Sequence, residues 1–223
     1  MLPQACISRC MTLMLLMAIS LCARAQTEYE PAAQKARVVI VVSGASGAGN
    51  YGTAAGRIAQ MGYDVFLVDG NAMIGGEGAA LEAVIGKAQQ SPHALPGKVA
   101  VVGFSLGGGV ALGQATRWPD RVAGVIALYP LTSNIKHPDA YVARFAVPVL
   151  VLAGERDSYH NCCLIGTARA IAAAAAARKL PFELVTYPSA DHDFVMAGRN
   201  YDGTAAPDAW DRTQAKLKAL LGD

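Results

Sequence analysis

Val99-Ala100-Val101-Val102-Gly103-Phe104-Ser105-Leu106-Gly107 joins an apolar run directly to a G-x-S-x-G pattern. A serine set on a sharp turn from strand to helix sits in strained backbone geometry, and a side chain two residues to either side collides with the neighbouring strand and helix. Glycine at 103 and 107 removes that collision. The residues that follow, Leu106-Gly107-Gly108-Gly109-Val110-Ala111-Leu112-Gly113, are small enough to pack a helix closely on a sheet. The first turn of such a helix aims backbone N–H groups at the serine. A tight turn carrying an ordinary solvated serine also satisfies the pattern, so the rest of the chain has to decide.

Outward from this point, short runs rich in β-branched residues recur at 38–42, 65–68, 99–102, 125–129, 147–153 and 182–187. Continuous apolar runs of this length read as strands buried on both faces. Between and after them, helices are expected over 51–61, 78–89, 106–118, 164–180 and 209–221. The alternation predicts an α/β fold: a mostly parallel sheet of about six strands with helices on both faces. In such sheets ligands bind beyond the carboxyl ends of the strands.

Ser105 falls at one such end. Gly154-Glu155-Arg156-Asp157 follows the run 147–153, and Pro188-Ser189-Ala190-Asp191-His192-Asp193-Phe194 follows 182–187. The order serine, acid, histidine, each on a loop leaving a later strand, is the chain order of α/β-hydrolases. Ser105 needs a base to become a nucleophile, and His192 is the candidate; Asp157 is placed to orient the imidazole and stabilise its cation. Glu155, Asp191 and Asp193 are the competing acids: the two aspartates adjacent to His192 are expected to point elsewhere along the loop, and loop placement favours Asp157 over Glu155. The backbone N–H groups of Leu106 and, in the loop Ser43-Gly44-Ala45-Ser46-Gly47-Ala48-Gly49, of Ala45 are the candidate donors to an oxyanion. Asn50, Tyr51, Tyr159 and His160 lie on loops that could wall a substrate pocket. His93 and His137 sit in loops marked by proline and read as solvated.

The same glycine-rich loop supports a rival. Gly44-x-x-Gly47-x-Gly49 after a strand, with Asp69 about twenty residues on, imitates a nucleotide-binding Rossmann fingerprint. The glycine spacing is reversed, however, and the chain offers no Tyr-x-x-x-Lys pair, so an NAD(P)-dependent enzyme is the lesser reading.

Residues 1–25 differ from the remainder of the 223: Arg9, an apolar run over 11–21, then Ala23-Arg24-Ala25. They read as a secretory signal peptide cut after Ala25, which makes 26–223 a single domain and the protein secreted or periplasmic. Losing Arg9 and Arg24 takes the formal charge from +2 to zero. No nucleic-acid partner is expected from such a balance, and no stable membrane association once the leader is removed. Cys6, Cys10 and Cys22 leave with the leader, and only the adjacent pair Cys162-Cys163 stays. The pair reads as thiols buried at a helix start, in preference to a vicinal disulfide, and nothing nearby resembles a metal site.

Taken together, Gly103-Phe104-Ser105-Leu106-Gly107-Gly108, Leu152-Ala153-Gly154-Glu155-Arg156-Asp157 and Tyr187-Pro188-Ser189-Ala190-Asp191-His192-Asp193-Phe194 resemble the dienelactone hydrolase family of α/β-hydrolases. The resemblance covers nearly all of 26–223. It implies hydrolysis of a small-molecule carboxylic ester or lactone through an acyl-enzyme, with no cofactor and no metal. Dienelactone hydrolases proper carry cysteine where this chain has Ser105, and they begin with extra strands for which 27–37 leaves little room. Serine shifts the expectation toward a general esterase. The roughly 17 residues between Tyr129 and Val147 are too few for a large helical lid, so a minimal lid and an open site are expected. A serine peptidase or acyltransferase on the same fold, and a binding protein that has kept the scaffold without catalysis, are the alternatives.

Overall fold

The computed structural model describes residues 26–31 and 35–222; the expected signal peptide lies outside the described residues. Seven strands form one sheet: β1 Gln26–Tyr29, β2 Val38–Val42, β3 Asp64–Val68, β4 Val99–Phe104, β5 Val122–Leu128, β6 Val149–Gly154 and β7 Phe182–Tyr187. Their order is β1-β3-β2-β4-β5-β6-β7, with β1 antiparallel to β3 and all other neighbours parallel. The strand absent from the sequence expectation is β1. Its residues, Gln-Thr-Glu-Tyr, have no apolar run because they occupy an edge with exposed side chains at Thr27 and Glu28. The stretch thought too short for a further strand therefore holds one.

The helices are α1 Gly52–Gln60, α2 Ala79–Ala88, α3 Leu106–Gln114, α4 Pro138–Val142, α5 Ile165–Ala177 and α6 Ala205–Leu221. Alternation along each central strand divides the core in two. Val38, Ile40 and Val42 point toward a layer that includes Leu81 and Ile85 of α2, Leu112 of α3 and Ile171 of α5. Val39 and Val41 point the other way, toward Ile58 of α1 and Trp210 and Leu217 of α6. Every residue of β2, β3, β4 and β6 is buried, which is why the sequence shows unbroken apolar runs there and no period-two pattern. The five-residue α4, missed in the sequence, starts at Pro138, whose fixed φ suits a first helical position. Among the described residues it is the one α-helix between β5 and β6, and that connection forms no large helical lid. Among the described residues no helix is long and apolar enough to cross a membrane.

Candidate active site

Close packing dictates the turn between β4 and α3. A Cβ on Gly103 would stand 2.3 Å from the carbonyl oxygen of Gly107, and one on Gly107 would stand 2.2 Å from that of Val42. Both neighbours are backbone and cannot yield, so only glycine fits. Ser105 between them has φ 51° and ψ −116°, a conformation that costs an L-residue roughly 1–3 kcal/mol. Three backbone hydrogen bonds hold it there. The Ser105 N–H donates to the Leu128 carbonyl at 3.0 Å, while its own carbonyl accepts from Gly109 at 3.1 Å and Leu131 at 2.8 Å.

The other two members arrive on loops that are stitched to each other. The Glu155 N–H donates to the Tyr187 carbonyl and the Arg156 N–H to that of Ala190, both at 3.0 Å. That register leaves Asp157 under the histidine loop. Asp157 Oδ2 lies 2.7 Å from His192 Nδ1, and His192 Nε2 lies 3.0 Å from Ser105 Oγ. Relative exposures of 6% for Ser105, 3% for Asp157 and 2% for His192 place the chain of contacts out of bulk water, where a hydrogen bond is electrostatically stronger. The second oxygen of Asp157 accepts the Tyr159 N–H at 3.2 Å.

The rival acids are occupied differently. Glu155 accepts from Thr186 at 2.7 Å and pairs with Arg169 at 2.6 Å, and the Thr186 bond is the first cause of its lowered pKa. Asp191 caps its neighbour by accepting the His192 N–H at 2.7 Å. Asp193, by contrast, does not point away as its sequence position suggested. Its φ of 59° turns the chain back, and Oδ1 comes to 4.0 Å from His192 Nε2. Burial raises the Asp193 pKa, and the facing imidazole is the largest of the opposing effects.

Two aromatic rings enclose the imidazole. Tyr159 stacks on it at 4.5 Å with an 8° interplanar angle, and Tyr129 meets it edge-on at 4.9 Å and 67°. Nothing in residue type marks Tyr129 as a site residue, although its place directly after β5 puts it at the carboxyl edge of the sheet. Burial holds its phenol well above the ordinary value, so it stays protonated. Tyr51 is also buried, with its hydroxyl against Gly44, and its pKa is pushed up to about 12 by burial first and by the Asp193 charge second. Asn50 is exposed and its amide donates to the Ser46 carbonyl at 2.8 Å, within its own loop. His160 is exposed and packs edge-on against Tyr159 at 4.3 Å, one layer removed from the imidazole.

Gly44 brings the loop after β2 against the serine, since a Cβ there would lie 3.3 Å from the Ser105 Cβ. The N–H groups of Leu106 and Ala45 donate to no protein acceptor among the described residues. Asp69, the acid of the Rossmann reading, accepts the Asn71 N–H through Oδ1 at 2.9 Å and caps its own turn. Two clefts flank the site. One, about 470 Å³, is lined by Leu106, Val110, Leu131, Ile135 and Tyr141 among others; the second, about 570 Å³, includes Tyr159, His192, Asp193 and Met196.

The two cysteines are not the free thiols at a helix start that the sequence predicts. Cys162 and Cys163 are joined in a vicinal disulfide, and their side chains come beside His192.

Residues 76–221 match the model of the dienelactone hydrolase family. A protein of Saccharolobus solfataricus named as a carboxymethylenebutenolidase is 32% identical over 124 residues, which are 55% of this chain and 45% of that protein. The match thus spans about half the length of that relative. A Klebsiella pneumoniae structure assigned as a dienelactone hydrolase superposes with a TM-score of 0.71 at 22% identity, covering 87% of this chain and 99% of the other. Esterase 2 of Thermogutta terrifontis, with propionate bound, gives 0.68 at 18% identity over 89% and 90% of the two chains. With a glycine-framed serine after β4, an acid after β6 and a histidine after β7 on this sheet, the chain belongs to the dienelactone hydrolase family and has the α/β-hydrolase fold.

Proposed function

We propose that this protein is a serine hydrolase of carboxylic esters or lactones. The observation that carries the reading is the unbroken contact chain from Ser105 Oγ to His192 Nε2 at 3.0 Å and from Nδ1 to Asp157 Oδ2 at 2.7 Å. His192 takes the proton as Ser105 Oγ attacks the acyl carbon, and Asp157 stabilises the imidazolium. The tetrahedral oxyanion accepts from the Leu106 and Ala45 N–H groups, which donate to no other protein group among the described residues. His192 returns the proton to the departing alkoxide, leaving an ester on Ser105. Water, deprotonated by the same imidazole, then attacks that ester, and the proton passes back to Ser105 Oγ as the acid leaves.

The cleft beside Leu106 and Leu131 suits the acyl chain along its apolar wall, because both residues adjoin the serine's own turn, while Glu77, Arg117 and Arg144 line it elsewhere. The curated relative's name refers to a lactone hydrolase and the Thermogutta structure to an esterase, and both are compatible with this chemistry. A peptidase or acyltransferase would use the same three residues, so the test must address both nucleophile and substrate. The purified protein is treated with a fluorophosphonate and digested, and modification at Ser105 is expected. Short p-nitrophenyl esters are expected to turn over faster than matched amides. An unmodified Ser105, under conditions in which a control esterase reacts, overturns the serine mechanism; faster amide turnover overturns the esterase reading.

A further inference from the structure

The disulfide beside the imidazole has no part in the acyl-transfer scheme, yet its position is constrained from several sides. The Cys162 carbonyl accepts the N–H groups of both Thr132 and Ser133 at 2.9 Å, and the Cys162 N–H donates to the Tyr159 carbonyl at 2.9 Å. The backbone bearing the two sulfurs is therefore pinned to the loop after β5 on one side and to the Tyr159 turn on the other. Cys163 is buried. The two Sγ atoms and a ring nitrogen of His192 all lie within 4.8 Å of one another.

We propose that reduction of Cys162–Cys163 turns this wall of the site into a binding site for a soft divalent cation of the zinc and cadmium class, held by two thiolates and His192. A thiol or phosphine reductant supplies two electrons, and with two protons the disulfide becomes two thiols; the cation then displaces both thiol protons to solvent. Two thiolates cancel the charge of a divalent ion, and a neutral imidazole completes a set that favours zinc or cadmium over magnesium or calcium. Ligand atoms around tetrahedral zinc are separated by roughly 3.5–3.8 Å, so the two sulfurs must part once their bond is broken, while a sulfur-to-nitrogen spacing of up to 4.8 Å closes by about 1 Å. The pinned backbone keeps the sulfurs within that reach once their bond is broken.

Asp157 strengthens the assignment. A histidine that ligates zinc usually donates its other ring N–H to a carboxylate, and the Asp157 contact to Nδ1 already provides that arrangement. Nε2 is then the nitrogen left for the cation, the same atom that faces Ser105 Oγ. The cation and the serine compete for one lone pair. Given the proposed hydrolase reading, the reduced protein is inhibited by the cation and the disulfide form is not, because a disulfide sulfur lacks the thiolate that ligates.

The test uses the full chain, with its disulfide intact or reduced by a phosphine that is then removed, titrated anaerobically with cadmium chloride. The Cys162→Ser/Cys163→Ser double variant keeps Cys6, Cys10 and Cys22 and so measures their background. Reduced wild type is expected to show about one equivalent of thiolate-to-cadmium ultraviolet absorption beyond both the oxidised protein and the double variant. Ester hydrolysis, normalised to each protein's metal-free rate, is expected to fall about tenfold or more in reduced wild type alone. His192→Ala is expected to weaken cadmium binding by about tenfold or more. Equal absorption in reduced wild type and the double variant overturns the site, as does undiminished affinity in His192→Ala or equal inhibition of the oxidised protein. Should no form hydrolyse esters, the absorption still reports on the site, and only the hydrolase reading falls.

Discussion

Ser105, His192 and Asp157 illustrate how little freedom each side chain has once its neighbours are in place. Ser105 is held by three backbone hydrogen bonds in a positive-φ conformation, His192 lies between two tyrosine rings, and both oxygens of Asp157 accept. Groups that act through one another do not contribute independently. Ser105→Ala and His192→Ala are each expected to lower kcat for a p-nitrophenyl ester by on the order of a thousandfold or more, and the double substitution by no more than the worse single one. Steady-state kinetics on the three variants checks this; losses that multiply would mean that the two residues do not form one unit. Asp193 belongs to the same scale. Its sequence position beside His192 implied a side chain directed elsewhere, and the left-handed backbone that returns it toward Nε2 is a feature of the folded loop.

At the level of elements, strands buried on both faces announce themselves, and edges do not. The runs at β2, β4 and β6 were legible because both sheet faces are covered, so every position is apolar. Strand β1 was not, because half of an edge strand meets water and its pairing with β3 is a long-range choice. Its partner β3 begins with a buried acid, Asp64, whose two oxygens have no well-formed hydrogen bond among the described residues. Burial, and next the charge of Glu28, raise its pKa to about 6. The folded state thus binds this proton more tightly than the unfolded chain. The associated stability is fully present below the unfolded value near pH 4 and is lost as pH rises to about 6. Asp64→Asn is accordingly expected to gain stability relative to wild type on going from pH 4.5 to pH 8, by on the order of 2 kcal/mol or a few degrees in Tm. Thermal melts of both proteins at the two pH values test it, and a gain independent of pH would remove ionisation of Asp64 as the cause.

For the molecule as a whole, the carboxyl edge of the sheet assembles a site from residues far apart in the chain, with a cleft of about 470 Å³, one wall of it apolar, to one side. Val110 of α3 lines that cleft one turn beyond the serine's flanking residue Leu106. If acyl chains enter there, Val110→Trp should reduce kcat/KM for octanoyl esters by about tenfold or more relative to acetyl esters, since each excluded methylene is worth about 1 kcal/mol or more. A chain-length series on the two proteins decides, and a uniform loss at all lengths would place the acyl group elsewhere. Amino-acid order by itself determined the strand-to-helix turn at Ser105, the succession of serine, acid and histidine, and the central strands, because local packing limits and burial on both faces leave direct marks in residue type. Only the tertiary structure brought Asp157 to His192 Nδ1 while pairing Glu155 with Arg169, added β1 at the sheet edge, and joined Cys162 to Cys163 against the imidazole. Those choices rest on which loops lie side by side and which hydrogen bonds tie them. Contacts between distant segments impose no period or composition on the chain that makes them.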